Sequence, residues 1–256
     1  MTWLTLHFGE ALLAWSALGA VVFLVLFFVP APYGRYVREG FGPKVPARLG
    51  WFFMEGPSAL VIALSFLYGA REARPGPVGW VFFALWEVHY VYRALVYPWL
   101  LSGEPKPMSL VVILSAVFFN LVNAGLNGLW LFVIRPVSGL GWLADPRFAV
   151  GAALFVVGFV THVRADAVLR GLRRPGDSGY QIPRGGLYEW ISCPNYFGEM
   201  VEWLGFALAT WSLAALSFAG WTVANLLPRA IAHHRWYRAH FESYPEKRRA
   251  LVPFVL

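Results

Sequence analysis

The chain has 256 residues, of which 58% are hydrophobic and only 14% charged, with a formal net charge of +7. That charged share lies well below the roughly 25% usual for water-soluble domains, which argues against a soluble protein. The single cysteine, Cys193, excludes an internal disulfide and any cysteine-built metal cluster.

Apolar runs near the ~20 residues that a helix needs to cross a bilayer recur along the chain. Seven spans are predicted, at about 9–29, 50–70, 78–100, 108–134, 147–163, 196–214 and 216–233, the last two parted near Ser217 to Gly220. The first run lacks a basic leader and a small-residue cleavage site, so it reads as a retained span. None has the alternation of a barrel strand. The expected fold is all-α: one integral membrane domain over 1–256, a bundle of seven transmembrane helices with no internal repeat.

The basic residues orient this bundle. Arg35, Arg38, Lys44, Arg48, Lys106, the 164–189 loop and the segment after the last span fall on one side. Only Arg71, Arg74, Arg135 and Arg147 fall on the other, and Arg93 lies inside the third span. The positive-inside rule then puts the amino terminus outside or lumenal and the carboxyl terminus in the cytosol. Because topology accounts for the positive charge, no nucleic-acid partner is expected.

Ionisable groups inside a span are costly and read as functional by default. Glu55 lies in the second span, just before Gly56 and Pro57, and the proline frees a backbone carbonyl within the helix. In the third span Glu87, Tyr90, Arg93 and Tyr97 recur at three- and four-residue steps, which can line one face. His89 pairs by spacing with Arg93. One reading is an interhelical clamp in which Arg93 neutralises a carboxylate. The other is a hydrogen-bonding device, Glu55 with Tyr90, that can polarise a carbonyl oxygen.

Between the fifth and sixth spans runs a Gly/Pro-punctuated basic loop with Asp166, Arg170, Arg173, Arg174, Tyr180 and Arg184. Guanidinium forks match phosphate oxygens and glycines let backbone amides approach, but the loop also suits topology alone. Neither GxGxxG nor a Walker lysine is present, so neither familiar nucleotide fold applies. Asn195, Glu199 and Glu202 then form one helical stripe, and Arg229, His233 and Tyr237 another. His233, His234 and the two glutamates offer a rival metal site, but the adjacent histidines fall on different helix faces and no His-Glu-x-x-His occurs. No metal is expected. The segment 233–238 also reads as an interfacial aromatic and basic anchor.

The stretch LRRPGDSGYQIPRGGLYEWISCPNYFGEMVEWLGFALATWSLAALSFAG and the ending AIAHHRWYRAHFESYPEKRRALVPFVL resemble the steroid 5-alpha-reductase family, as do APYGRY, WFFMEGPSAL and HYVYRALVYP in the first half. The resemblance implies a seven-span enzyme that uses NADPH, without metal or flavin, to reduce the 4,5 double bond of lipophilic 3-oxo-Δ4 steroids. It implies that Glu55 and Tyr90 grip the 3-keto oxygen while hydride goes to C5 and a proton to C4. It places Tyr33, Trp51, Tyr97, Asp166, Arg173, Tyr180, Asn195, Glu199, Arg229, His233 and Tyr237 around NADPH. Residues 1–105 would then serve mainly the substrate and 106–256 mainly the cofactor. Gln181, His162 and Glu104 depart from the family pattern, which is usually arginine, asparagine and a basic residue there.

Other readings stay open. A reductase of another lipid enone, a polyprenal or an enoyl chain, would use the same fold. An isoprenylcysteine-type methyltransferase is more distant, and Glu55 with Tyr90 favours an enone over methyl transfer. A non-catalytic lipid-binding or transport protein would be expected to show repeats or paired broken helices. The expected state is a monomer in a lipid bilayer. Its Ala-, Arg- and Trp-rich composition points to a bacterial cytoplasmic membrane rather than the endoplasmic reticulum.

Overall fold

The computed structural model describes residues 2–29, 36, 40, 42–72, 75–101, 106–137, 139–172 and 179–256. Its long elements are helices: α1 (Thr2–Phe28), α2 (Ala47–Glu72), α3 (Pro77–Val91), α5 (Leu110–Leu129), α6 (Pro146–Gly171), α7 (Pro194–Thr210) and α8 (Leu213–His240). The short α4 (Tyr97–Leu100) continues α3 through a π-helical turn, Tyr92–Val96, and a second such turn, Trp130–Ile134, extends α5. The all-α expectation therefore holds. The exception among the described residues is a pair of two-residue strands, β1 (Lys44–Val45) and β2 (Met108–Ser109), antiparallel with Lys44 opposite Ser109. They tie the loop before α2 to the start of α5.

Four helical stretches are long and apolar enough to cross a membrane: Thr5–Phe28, Ala47–Arg71, Leu110–Ile134 and Pro146–Gly171. Their outer faces carry exposed Leu13, Leu24, Phe28, Leu60, Leu64, Phe118 and Val157. Apolar surface on this scale is what a lipid environment solvates. In the interior Trp86, Phe206 and Ile62 are completely buried, and the Trp86 ring meets those of Tyr90, Trp203, Phe206 and Phe218 at 5.2–5.4 Å.

Three predicted boundaries need correction. The sixth and seventh predicted spans part at Trp211 and Ser212, not near Ser217 to Gly220. Trp211 takes a left-handed conformation (φ 48°), and the Ser212 hydroxyl accepts from the Ala215 N–H to cap α8. Ser217 and Gly220 lie inside α8, where packing overrides their weak helix preference. Second, α6 continues through Gly171, so Asp166 and Arg170 sit on a helix rather than in a loop. Third, α8 runs on to His240, past the predicted end of the last span near 233, and so carries the whole stripe of Arg229, His233 and Tyr237.

The π turn has a visible cause. Pro98 has no N–H and its ring would clash with the carbonyl one α-turn back. The widened turn, in which the Tyr97 N–H reaches the Tyr92 carbonyl, relieves both and rotates Arg93 inward.

The seam between α6 and α7 is closer than side chains permit. A Cβ placed on Gly151 would collide with the backbone of Ala209, and one on Gly158 with that of Glu202. A Cβ on Gly205 would strike Phe155, and one on Gly198 the His162 backbone at 2.6 Å. Small residues at this seven-residue spacing let two helix backbones touch, as in membrane helix pairs generally. α6 begins at a strong cap: Asp145 accepts from the Arg147 N–H at 2.8 Å and from its guanidinium at 2.8 and 2.9 Å.

Candidate functional site

Arg93 is the hub. Its guanidinium is buried, with Nη1 3.3 Å from an Asp166 oxygen on α6, Nη2 3.8 Å from Glu199 on α7 and Nε 3.9 Å from Glu55 on α2. It lies 4.5 Å from the Trp51 ring centroid and 4.9 Å from that of Tyr97, close enough for cation–π attraction. Asn195, at the start of α7, donates from Nδ2 to the other Asp166 oxygen at 3.1 Å. One cation thus gathers Glu55, Trp51, Tyr97, Asp166 and Glu199, with Asn195 one bond further out. These contacts are those of the interhelical clamp, with three carboxylates around Arg93.

Tyr90 is reached from Glu55 through a residue the sequence reading passed over. Asn120, on α5, accepts from the Tyr90 hydroxyl at 3.4 Å. Its Nδ2 donates to the Met54 carbonyl at 2.6 Å and to Glu55 at 3.4 Å. Ser58 also hydrogen-bonds the Tyr90 hydroxyl and accepts from the Trp86 indole at 3.3 Å. Tyr90 is 3% exposed, and the Glu55 carboxyl is turned to Asn120 and Arg93, so both face inward rather than toward lipid.

Behind this layer lies a second polar cluster. The Glu202 carboxylate bridges His89 Nδ1 at 2.7 Å and His162 Nδ1 at 3.1 Å, all three side chains buried. His89 therefore pairs with Glu202 on α7, not with Arg93 as spacing suggested, because Arg93, on the π turn, is taken up by Asp166, Glu199 and Glu55 and the imidazole finds a carboxylate instead. The ligand atoms of His89, His162 and Glu202 lie within 4.8 Å of one another, near enough for one ion. Glu202 already takes a hydrogen bond from each imidazole, while His162 Nε2 is buried without a hydrogen bond. His233 and His234 are not part of this group. Glu87, placed by spacing on the Tyr90 face, leaves its Oε1 buried without a hydrogen bond.

The second predicted stripe meets the first at the start of α7. Tyr196, next to Asn195, bonds His233 Nε2 at 3.2 Å, and the Arg229 guanidinium lies 5.5 Å from the Tyr196 ring. Tyr237 stacks on Tyr244 at 5.3 Å, and Tyr180 meets Trp236 edge-on at 5.0 Å. Lys106 lies 5.7 Å from the Tyr180 ring. Arg170 stands over the other side of the site, 5.5 Å from Tyr97, with one guanidinium nitrogen buried and lacking a hydrogen bond. Tyr33, Arg173 and Glu104 lie outside the described residues.

The carboxyl segment closes this end. Ile191 pairs in parallel with Arg249, and the Ser192 and Cys193 amides donate to the carbonyls of Arg249 and Ala250. The Ser192 hydroxyl meets His234 at 2.7 Å and Tyr244 at 2.6 Å. Tyr188 is buried against the Ala165 carbonyl, and that burial pushes its phenol well above the usual range.

Residues 106–256 match the family described as 3-oxo-5-alpha-steroid 4-dehydrogenase. The bovine protein named 3-oxo-5-alpha-steroid 4-dehydrogenase 1 is 43% identical over 94% of this chain and 93% of its own length. The human protein of that name is 39% identical over 93% of this chain and 92% of its own. Steroid 5-alpha-reductase DET2 of Arabidopsis thaliana is 37% identical over 97% and 96%. These relatives are animal and plant proteins, so the bacterial placement read from composition gains no support.

Proposed function

The chain belongs to the 3-oxo-5-alpha-steroid 4-dehydrogenase family, and on that premise we propose that it reduces the 4,5 double bond of 3-oxo-Δ4 steroids with NADPH. The observation that carries this reading is the convergence on Arg93. Through it, Glu55 and its neighbour Tyr90 share one buried network with Asp166, Asn195 and Glu199.

The donor set suits the cofactor. Around Arg93 the carboxylates of Glu55, Asp166 and Glu199 outnumber the single guanidinium, so this end offers acceptors. Acceptors fit the amide of a nicotinamide and the hydroxyls of a ribose. Cations stand apart from it: Arg170 with a buried N–H lacking a hydrogen bond, then Arg229 and Lys106. Guanidinium groups match phosphate oxygens bidentately. Asn195 and Glu199 would hold the nicotinamide end, Asp166 the ribose, and Arg170 with Arg229 the phosphates. Tyr180, His233 and Tyr237 line the same end. When bound, NADPH supplies the hydride.

The chain's own residues supply the rest. An enone accepts hydride because negative charge moves to its carbonyl oxygen. Tyr90, with Glu55 beside it, would donate a hydrogen bond to that oxygen as the charge grows. Trp86 and Trp203, which pack on Tyr90, and Phe206 and Phe218, which pack on Trp86 behind it, would exclude water from the reacting atoms.

The seven-span bundle, with the amino terminus outside and the carboxyl terminus cytosolic, is part of the proposal. In it α3 with α4, α7 and α8 join the four apolar helices. Residues 1–105 then contribute mainly to the substrate side and 106–256 mainly to the cofactor side. A greasy substrate would enter from lipid and the charged cofactor from the cytosol. The test is to incubate the purified protein with NADPH and testosterone and identify the product by mass and stereochemistry. A 5-alpha-dihydro product is expected; no product, or reduction of the ketone to an alcohol, would reject the assignment.

A further inference from the structure

We propose that Asn120 is a positioning residue for this reduction, its side-chain amide aiming the Tyr90 hydroxyl and holding the Glu55 carboxylate beside it. The proposal rests on the assignment of Tyr90 and Glu55 to the substrate carbonyl made above.

The direction of the amide is forced. Asn120 is 4% exposed, and its Nδ2 faces the Met54 carbonyl at 2.6 Å and Glu55 at 3.4 Å. Both partners are acceptors. Turning the amide over would set its oxygen against a carbonyl and a carboxylate, leaving buried acceptors unpaired. Oδ1 must therefore face Tyr90, and an amide oxygen can only accept. With Asn120 able only to accept, the phenol proton can point to it while the Ser58 hydroxyl donates to the phenol oxygen.

The length of that bond matters as much as its direction. Hydroxyl donors usually sit about 2.7–2.8 Å from their acceptor, whereas Tyr90 and Asn120 are 3.4 Å apart. A long bond between two neutral groups aims a proton without gripping it. When a ketone oxygen enters, Tyr90 exchanges one carbonyl acceptor for another, and little reorganisation is needed at the moment of reaction. The Met54 carbonyl anchors the amide to the α2 backbone, one residue before Glu55, so phenol and carboxylate are set from a single point.

The experiment is a double-mutant cycle on the full-length protein with NADPH and testosterone, following kcat and KM separately. Asn120→Leu should lower kcat about tenfold, the worth of one aimed hydrogen bond, with KM within about twofold of wild type, as expected when an interaction acts in the transition state. In a Tyr90→Phe background the same change should cost clearly less than tenfold, because there is no phenol left to aim and only the hold on Glu55 remains to be lost. If Asn120→Leu fails to fold, Asn120→Ser, read by the same criteria, replaces it. Wild-type kcat for the Asn120 variant, or an equal loss in both backgrounds, overturns the positioning role while leaving the carbonyl assignment intact. A Tyr90→Phe enzyme at wild-type rate overturns the carbonyl assignment and this role with it.

Discussion

Arg93 and Asp166 join the two halves of the chain: an arginine on the π turn after α3 meets a carboxylate on α6 at 3.3 Å, both buried. Removing the cation strands its partners. Arg93→Met leaves Glu55, Asp166 and Glu199 facing one another in a dry interior, and breaking such a buried set typically costs about 3–5 kcal/mol. Loss of the folded protein in detergent is expected, read by thermal unfolding. Asp166→Asn in the same chain should recover part of that loss, since it removes one of the stranded charges.

Glu55→Gln and Tyr90→Phe should each lower turnover of a 3-oxo-Δ4 steroid by roughly 100- to 1000-fold, the range seen when one oxyanion donor is removed. Melting temperatures should stay close to wild type. A rate near wild type for either variant would remove that residue from the carbonyl site.

The seam of α6 and α7 makes a stability prediction. Gly158→Leu must push its side chain into the Glu202 backbone, where no rotamer offers relief. Overpacking ordinarily costs about 1–3 kcal/mol, and this site should lie at the top of that range or fail to fold. A leucine at Gly139, where a Cβ meets nothing within 4 Å, is the control and should be silent.

Much of this was legible in the chain and some was not. Long apolar runs disclosed the helices because span length is fixed by the bilayer. The ends of α6 and α8 were hidden because each helix continues beyond its apolar part into polar sequence, where hydropathy has no edge to detect. The turn at Trp211 was missed because a bulky residue held left-handed carries no local signal, while Ser217 and Gly220 carry a false one. The stripe of Asn195, Glu199 and Glu202 could be read because it lies on one helix. The grip of Glu202 on His89 and His162 could not, since it joins three helices. Asn120 did leave a trace: with Asn123 and Asn127 it recurs on one face of an apolar run, and uncompensated amides there called for partners.

The cluster of Glu202 with His89 and His162 gives a test of metal dependence. Chelators should leave activity unchanged, because the Glu202 carboxylate is already taken up by hydrogen bonds to both imidazoles. Inactivation by a chelator that added zinc reverses would make the cluster a metal site. Glu202→Ala should cost more than Glu202→Gln, since it leaves both imidazoles without an acceptor in a buried setting.

Acid should act at the cap of α6. Hydrogen bonds from Arg147 hold the Asp145 carboxyl down at about 2, below the value of about 3.9 for an unfolded chain. A depressed carboxyl stabilises the fold fully above the unfolded value, and that contribution is lost as the pH falls through about 2. Asp145→Ala should therefore melt earlier than wild type at neutral pH. The gap should close as thermal scans approach pH 2, and a gap that persists unchanged at that pH would place the effect elsewhere.

Backbones that touch along four glycines have no slack between them, so α6 and α7 can shift only as one solid piece. Asp166, Asn195, Glu199 and Glu202 all ride on that piece. Whatever rearrangement admits a ligand, the distances among these four carriers are inherited from the glycines rather than renegotiated by the side chains.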